Sequence, residues 1–222
     1  MTDLGQLLTA VRFGDSSFPA GGYAFSSGLE GAYRDELVRD EDDVAAFAAE
    51  QLESRWHRCD RVLLRRAWSD PDPADADALA EAVATMSVLR EASRRAGAAI
   101  LTTFAAVIDG GVDDYRRRVL DGAVPGHLPV AQAICLRAAG LTVETAEAVA
   151  AWQVVSGLSS AALRLGICGH LGAQRVLTAV GPLLMDVLLR PAPTVPASFT
   201  AYADITAQRR DAGVAGVRLF AS

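Results

Sequence analysis

Apolar residues recur every three or four positions along most of the chain, and this spacing predicts amphipathic helices. The first predicted helix covers 4–13 and places Leu4, Leu7, Leu8 and Val11 on one face. Runs of β-branched residues that alternate with polar ones, the pattern of strands, are scarce, whereas alanine, leucine and arginine dominate. The sequence therefore predicts an all-α fold.

Breaks in this pattern divide the rest of the chain into helices. The strongest break is "SDPDPADAD", and "DGG" from Asp109 and the proline-rich "RPAPTVPASF" are others. Similar helical composition resumes after each internal break, so we predict one domain over 1–222, with a glycine-rich loop at 14–28 and a tail at 203–222. The predicted helices are a short one from Ser27, one with an acidic start at 40–44, then 79–107 with a weak point at Gly97, 112–120, 130–139, 143–165 and 170–189.

The loop "SSFPAGGYAFSSGLE", residues 16–30, differs from everything around it. Its glycines allow backbone angles closed to other residues, Pro19 restricts it, and Tyr23 and Phe25 offer rigid contact area. Ser27 and Glu30 have the spacing of a capping box, which predicts a helix start. We interpret the loop as part of a protein-docking surface, with burial of Tyr23 beneath the loop as the alternative.

Composition and charge narrow the function classes. The 222 residues are 51% hydrophobic and 22% charged, with a net charge of −6. This acidic balance argues against a nucleic-acid partner, which usually requires a basic stripe. Neither a secretory leader nor a membrane-spanning segment is recognisable, since the nearly uncharged stretch 176–189 is short and contains Pro182 and Asp186. We expect a cytoplasmic protein with reduced thiols and no membrane contact.

Sites for chemistry are sparse. The glycine-rich loop lacks the lysine of a phosphate-binding loop, and no nucleophile elbow is present. Two pairs could ligate a metal ion: His57 with Cys59, and Cys168 with His170. The second pair flanks Gly169, where the two side chains could converge more easily than in a helix. Structural roles for these residues remain the simpler interpretation.

Five segments, in order, resemble motifs of the UreF family of urease accessory proteins. They are "DSSFPAGGYAFSSGLE", "LREASRRAGAAIL", "GHLPV", "ALRLGICGHLGAQRVL" and "VRLFAS", and they span nearly the whole chain. In the fourth, a proline usual in the family is missing, Cys168 stands where leucine is usual, and His170 replaces a glutamine.

The resemblance implies an all-α homodimer that acts without catalysis. Family membership implies a scaffold that, with the accessory protein UreD (also called UreH), recruits the GTPase UreG and supports nickel insertion into apo-urease, coupling the GTPase state to metal delivery. No cofactor is expected to bind stably, because nickel would be handled by the complex. A nickel-binding protein that uses Cys168 and His170 is the alternative.

The motif residues supply the candidate partner contacts. Arginines at fixed positions suit polar contacts, either within the fold or across to a partner. The predicted partner-binding residues are Pro19, Gly21, Gly22, Tyr23, Ser26, Glu30, His127, Arg164, Gln174, Arg175 and Arg218.

Overall fold

A computed structural model of the protein describes residues 3–19 and 26–197. Within these ranges the chain forms helices and no strand, so the all-α prediction is confirmed. The helices are α1 (Leu4–Gly14), α2 (Leu29–Arg34), α3 (Glu41–Glu50), a π-helical segment (Gln51–Asp60), α4 (Arg61–Ser69), α5 (Ala74–Val83), α6 (Ser87–Val107), α7 (Asp113–Leu120), α8 (Leu128–Ala138), α9 (Val143–Leu165) and α10 (His170–Leu189).

Helix α9 lies at the centre of the fold. It contacts α1, α2, α3, α4, α8, α10 and the π-helical segment. Its buried positions include alanines at 146, 150, 151, 161 and 162, and these small side chains let neighbouring helices approach closely. The predicted bounds 143–165 are confirmed, as are 170–189 for α10.

Residues 41–69 form one continuous helix whose middle is π-helical. Ala48, Leu52 and Trp56 are buried along it at intervals of four residues. In the π-helical segment the hydrogen bonds span five residues, and the N–H of Arg61 bonds the carbonyl of Trp56. The predicted acidic start is confirmed, because the carboxylate of Asp40 caps the first turn.

The prediction of a single helix over 79–107 is wrong. Helix α5 ends at Val83 and α6 begins at Ser87, with Ala84 and Met86 outside the helical conformation. No glycine or proline marks this break. Gly97, the predicted weak point, lies inside α6 without interrupting it.

The predicted capping box between Ser27 and Glu30 does not form. Gly28 and Ser27 have positive φ values of 89° and 50°, and this left-handed turn brings Ser26 over the first turn of α2 instead. The Ser26 hydroxyl accepts a 3.4 Å hydrogen bond from the N–H of Glu30. The Glu30 carboxylate, rather than reaching back, pairs with Arg34 at 3.1 Å.

Helix α1 packs on its neighbours through the buried ring of Phe13, which stacks on Phe104, and through polar contacts. The Gln6 side chain donates to the carbonyl of Gly140 at 2.5 Å and accepts from the N–H of Thr142 at 3.1 Å. Gln153 donates to the carbonyl of Phe13 at 2.8 Å. The predicted apolar face points away from the core, and all of its members are exposed: Leu4, Leu7, Leu8 and Val11.

Candidate docking surfaces

A buried carboxylate organises the "GHLPV" motif. Both oxygens of Asp77, a fully buried residue of α5, accept hydrogen bonds. The donors are the N–H groups of Gly126 at 2.6 Å and His127 at 2.8 Å, and the Tyr115 hydroxyl at 2.7 Å. Burial next to Asp77 raises the pKa of Tyr115 far above its usual value, so this hydroxyl stays a donor. The motif is therefore held inside the fold.

The "LREASRRAGAAIL" motif packs against the same turn. A Cβ atom at Gly97 would lie 2.0 Å from the carbonyl oxygen of Gly126, so only glycine permits this approach. Four residues earlier on α6, the Ser93 hydroxyl accepts a 3.1 Å hydrogen bond from the N–H of Leu128, the first residue of α8. This motif too builds the fold, by joining α6 to the start of α8.

His127 is 2% exposed and points into the fold. Its Nε2 lies 2.8 Å from the Glu81 carboxylate, which also pairs with Arg90 and Arg94. Burial works to raise the pKa of Glu81, but hydrogen bonds from Arg94 and His127 outweigh it and lower the pKa. The His127 side chain therefore offers a partner almost no surface, and we leave it out of the docking surfaces below.

The glycine-rich loop is described only at its two ends. Pro19 is exposed, and its carbonyl accepts a 3.0 Å hydrogen bond from Thr103 of α6. Ser26 and Glu30 are buried at the start of α2. The other predicted partner contacts in this loop, and the predicted contact near the C-terminus, lie outside the described residues: Gly21, Gly22, Tyr23 and Arg218.

The first turns of α10 present an ion pair. Arg175 is bidentate to Glu41 of α3, with N–O distances of 2.6 and 2.8 Å. The hydrogen bond from Arg175 lowers the pKa of Glu41. Gly172 makes room for this pair, because a Cβ there would lie 2.4 Å from a Glu41 oxygen. Gln174 is exposed beside it, whereas Arg164 is only half-buried near the end of α9.

Cys168 and His170 flank Gly169 where α10 begins, as the sequence implies. Among the residues that the structure describes, no group of three His, Cys, Asp or Glu side chains is arranged to hold a metal ion. Burial and the nearby Glu41 carboxylate raise the pKa of Cys168. A raised pKa disfavours the thiolate, the form that ligates metals. His57 and Cys59, the other pair, are both buried.

Exposed apolar residues recur along α10, with the exposed polar residues Gln174 and Thr178 between the first of them and the others. Only five positions of this helix are buried: Gly172, Ala173, Val176, Val180 and Val187. On the opposite side lie the residues that we call the α10 surface: Leu171, Pro182, Met185 and Leu189. Leu171 is 76% and Leu189 is 79% exposed. Large exposed apolar areas on a folded protein mark interaction sites.

The exposed apolar residues of α10 do not require a membrane around the helix. In the described ranges, α10 is the one helix long and apolar enough to cross a bilayer, judged by length and composition. The helix has 20 residues, so it is longer than the stretch 176–189, which was judged too short to cross a bilayer. It nevertheless packs against α3 and α9, and it carries Arg175 and Asp186. These contacts are those of a helix in a folded domain.

A second apolar area combines α1 with α9. Trp152 is 38% exposed, and a Cβ at Gly14 would lie 3.4 Å from its ring. Trp152 therefore lies beside Gly14, the last residue of α1, and so at the C-terminal end of the helix that carries the exposed leucines. We call the whole set the N-terminal surface: Leu4, Leu7, Leu8, Val11 and Trp152.

The far end of α10 is fixed by a buried arginine. Arg61 of α4 is bidentate to Glu147 of α9, at 2.9 and 3.0 Å. The same guanidinium donates to the carbonyls of Val187, Leu188 and Arg190, which end α10. These carbonyls have no partner within the helix, so Arg61 serves as their cap and holds α10 against α9.

No motif in the sequence marks Asp77, Arg61, Glu147 or Glu41 as a contact. Charged residues in helices are usually solvated, so burial of the first three was not indicated, nor was the ion pair of the half-buried Glu41 with Arg175. One signal was available for Glu147: the neighbouring positions of α9 are almost all small and apolar, and a carboxylate among them requires a partner.

The fold and its exposed areas define an all-α protein with surfaces suited to protein docking. The profile of the UreF family matches residues 38–181, well over half of the chain. The chain therefore belongs to the UreF family of urease accessory proteins, as the five motifs indicated.

Relatives from three bacteria carry the same name, urease accessory protein UreF. The protein of Cereibacter sphaeroides (strain ATCC 17029 / ATH 2.4.9) is 30% identical over 181 residues, which cover 82% of this chain and 81% of that protein. The protein of Paenarthrobacter aurescens (strain TC1) is 29% identical over 171 residues, 77% of each chain. The protein of Trichodesmium erythraeum (strain IMS101) is 27% identical over 192 residues, covering 82% of this chain and 81% of that protein.

Proposed function

We propose that this protein is a non-enzymatic scaffold for urease maturation. With UreD/UreH it recruits the GTPase UreG to apo-urease and couples the GTPase state to nickel insertion. Membership of a family named for urease accessory proteins supports this role. The observation that carries it is the α10 surface, a set of exposed apolar residues on a helix that is held at both ends by ion pairs and hydrogen bonds.

The α10 surface suits a protein partner. Glu41 and Arg175 fix its N-terminal end, and Arg61 fixes its C-terminal end, so the surface needs little reorganisation on binding. An apolar centre flanked by charged groups is the usual anatomy of a protein interface. We assign this surface to a different chain, UreD/UreH or UreG, and assign self-association to the N-terminal surface.

The N-terminal surface suits a homodimer. Its members are leucines, a valine and a tryptophan, and interfaces of homodimers are more apolar than those of transient complexes. Trp152 is the natural anchor, since tryptophan is enriched among residues that dominate binding energy. The protein is accordingly expected to act as a cytoplasmic dimer that carries its partners on other faces.

Reconstitution with purified UreD and UreG from the same genome tests the scaffold. Wild-type protein should elute with both partners in size-exclusion chromatography, and Leu171→Asp combined with Met185→Asp should abolish that complex while the dimer persists. Leu120→Asp, at an exposed leucine of α7, is the matched control and should leave the complex intact. Failure of folded wild-type protein to bind either partner would contradict the proposal.

The dimer has its own test. Trp152→Asp should convert the dimer to a monomer in sedimentation, with the helical circular dichroism unchanged. A variant that remains dimeric would place self-association elsewhere.

The loop has a separate test. Tyr23→Ala, in the part of the loop outside the described residues, should weaken the complex with the partners without loss of helical signal. An unfolded variant would instead support burial of Tyr23.

A further inference from the structure

An arginine-lined cleft lies beside the C-terminal end of α10. It runs between α4 and the connection that follows α10, residues 190–194, and has a volume of about 640 Å³. The residues of α4 that line it are three or four positions apart and so share one side of the helix: Val62, Arg65, Arg66 and Ser69. The opposite wall is mainly apolar: Leu188, Leu189, Pro191 and Pro193.

The cleft concentrates positive charge in an acidic protein. Four arginines line it, and among the described residues of the lining Asp70 is the one acidic side chain, whereas the whole chain has a net charge of −6. The charge of Arg190 is matched, because this residue is bidentate to Glu53. The charges of the arginines on α4 are matched less completely.

Arg65 shares a carboxylate with a second arginine. Both oxygens of Glu147 accept hydrogen bonds from Arg61 and also from Arg65, so two guanidinium groups face one anion. The exposed Glu144 comes no closer to Arg65 than 3.8 Å. Arg61 is fully enclosed, but Arg65 is half-buried and retains surface towards the cleft.

Arg66 is exposed and, within the described ranges, forms no ion pair with a carboxylate. Its guanidinium donates to the carbonyl of Thr194 at 2.9 Å, across the cleft. The same wall is held a second time, since the N–H of Ala197 donates to the carbonyl of Arg58 at 3.0 Å. The walls are therefore in place before any ligand arrives, and binding needs little reorganisation.

Two arginines with spare donors favour carboxylates, which guanidinium groups bind through paired hydrogen bonds. The volume of the cleft would also admit a small molecule. Leu189, however, belongs both to the cleft and to the α10 surface, so a protein that covers this surface reaches the cleft. This continuity favours a segment of a protein over a separate small ligand.

We propose that the cleft binds an acidic segment of the protein that docks on the α10 surface, with Arg65 and Arg66 binding its carboxylates. The inference rests on the proposed function for the role of α10 as a docking helix. It adds the chemistry of the partner, whose apolar face continues into aspartate or glutamate residues.

A fluorescent hexaglutamate peptide tests the cleft without any urease component. Fluorescence anisotropy at low salt should show saturable binding to the full chain, although the net charge of −6 repels the peptide. Arg66→Glu should weaken this binding about tenfold or more, because the reversed charge faces the carboxylates. Arg66→Gln, which removes the charge without reversing it, should weaken binding less. Equal affinities of wild type and Arg66→Glu, or no saturable binding by wild type, would overturn the proposal.

Arg39→Glu is the matched control. Arg39 is also exposed and also donates to a backbone carbonyl, that of Glu36 at 2.8 Å. It lies before the start of the continuous helix 41–69, about 30 Å or more from Arg66 along that helix. The substitution makes the same change in net charge and should leave the affinity for the peptide unchanged. A loss equal to that of Arg66→Glu would show attraction by overall charge alone and would overturn the cleft as the site.

Two further measurements separate the possible occupants. Citrate, a small tricarboxylate, should displace the peptide only at much higher concentration; displacement at the concentration of the peptide itself would indicate a small-molecule site and overturn a docking role. Arg66→Glu should also weaken the complex with the purified partner. If the partner binds wild type and Arg66→Glu equally, this inference fails and the scaffold stands. If neither UreD nor UreG binds wild type, the proposed function fails, and the peptide still decides whether the cleft binds acidic segments.

Discussion

Helices α8 and α10 have similar composition and opposite surroundings. Both are apolar, yet α8 is buried at every position from Pro129 to Leu136, whereas most of α10 is not. Helix α8 lies among α4, α6 and α9, which cover it from several sides. Helix α10 packs mainly on α3 and α9, and its other side faces outwards. Apolar composition alone therefore does not tell a core helix from a docking helix.

The polar contacts of the two helices differ in the same way. The start of α8 is held by internal groups, with Asp77 bonding Gly126 and His127 and Ser93 bonding Leu128. The start of α10 is held by an exposed pair, Arg175 with Glu41. Motifs of both kinds contributed to the family resemblance. One kind specifies the fold, and the other remains accessible to a partner.

A charge placed in α8 should have the largest effect. Leu136 is 1% exposed, and Leu136→Asp would bury a carboxylate without a partner. We expect a loss of more than about 4 kcal/mol, comparable to the total stability of many domains. Thermal unfolding followed by circular dichroism measures it. A cooperative transition at the wild-type temperature would show that α8 is not the core helix described here.

Breaking the ion pair between Arg61 and Glu147, which holds α10 against α9, should have the second largest effect on stability. Burial works to raise the pKa of Glu147, but hydrogen bonds from Arg65 and Arg61 lower it below its ordinary value of 4.5. Glu147→Gln leaves the buried Arg61 without its anion and should cost about 3 kcal/mol at pH 7. Urea unfolding measures this loss.

The same carboxylate gives a pH dependence with a definite sign. Because the folded pKa is the lower one, the contribution of Glu147 is complete above pH 4.5 and is lost as the pH falls through the folded pKa. Wild-type protein should therefore lose stability more steeply below pH 4.5 than Glu147→Gln does. Parallel curves for the two proteins would contradict the assigned ion pair.

A methyl group at Gly97 should have a smaller effect. In α6 it would meet the carbonyl oxygen of Gly126 at 2.0 Å, and overpacking of this kind costs about 1 to 3 kcal/mol. The clash is with backbone, which cannot shift cheaply, so the cost should lie near the upper end of this range. The better helix propensity of alanine returns at most about 1 kcal/mol, which leaves a loss of about 2 kcal/mol for Gly97→Ala.

The matched control lies in α9. A Cβ at Gly157 would meet nothing within 4 Å, so Gly157→Ala should be neutral or stabilising. Urea unfolding of both variants checks the pair. Equal effects at the two positions would mean that the start of α8 does not approach α6 as closely as described.

Gly97 also shows what the sequence could and could not predict. Helix type and most helix bounds follow from local spacing, which is why α9 and α10 were predicted residue for residue. A glycine inside a helix carries no local sign of the backbone that approaches it, so Gly97 was interpreted as a weak point. The break at 84–86 lacks glycine and proline, so local propensity does not indicate it.

The docking surfaces, too, could be predicted only in part from the sequence. Spacing placed four apolar residues on one face of α1, but Gln6 and the buried Phe13 make the contacts with the rest of the fold, and the predicted face points outwards. Among the predicted partner contacts, Arg175 and Gln174 are exposed, and their binding to a partner stays a prediction. The motifs could not separate these two from His127, because burial depends on what the rest of the chain places around a residue.

A charge placed in α10 should have the smallest effect on folding. Leu171 is 76% exposed and is the counterpart of Leu136 in the same substitution to aspartate. Leu171→Asp removes no buried contact and adds a negative charge in the first turn of α10, where the helix dipole favours it, so the free energy of unfolding should change by less than about 0.5 kcal/mol. Binding to the partner should nevertheless fall, because the aspartate would have to be desolvated in an apolar interface. Isothermal titration with the purified partner, beside urea unfolding, separates the two quantities. A stability loss near that of Leu136→Asp would mean that α10 is covered within its own chain, and the distinction between a core helix and a docking helix would then fail.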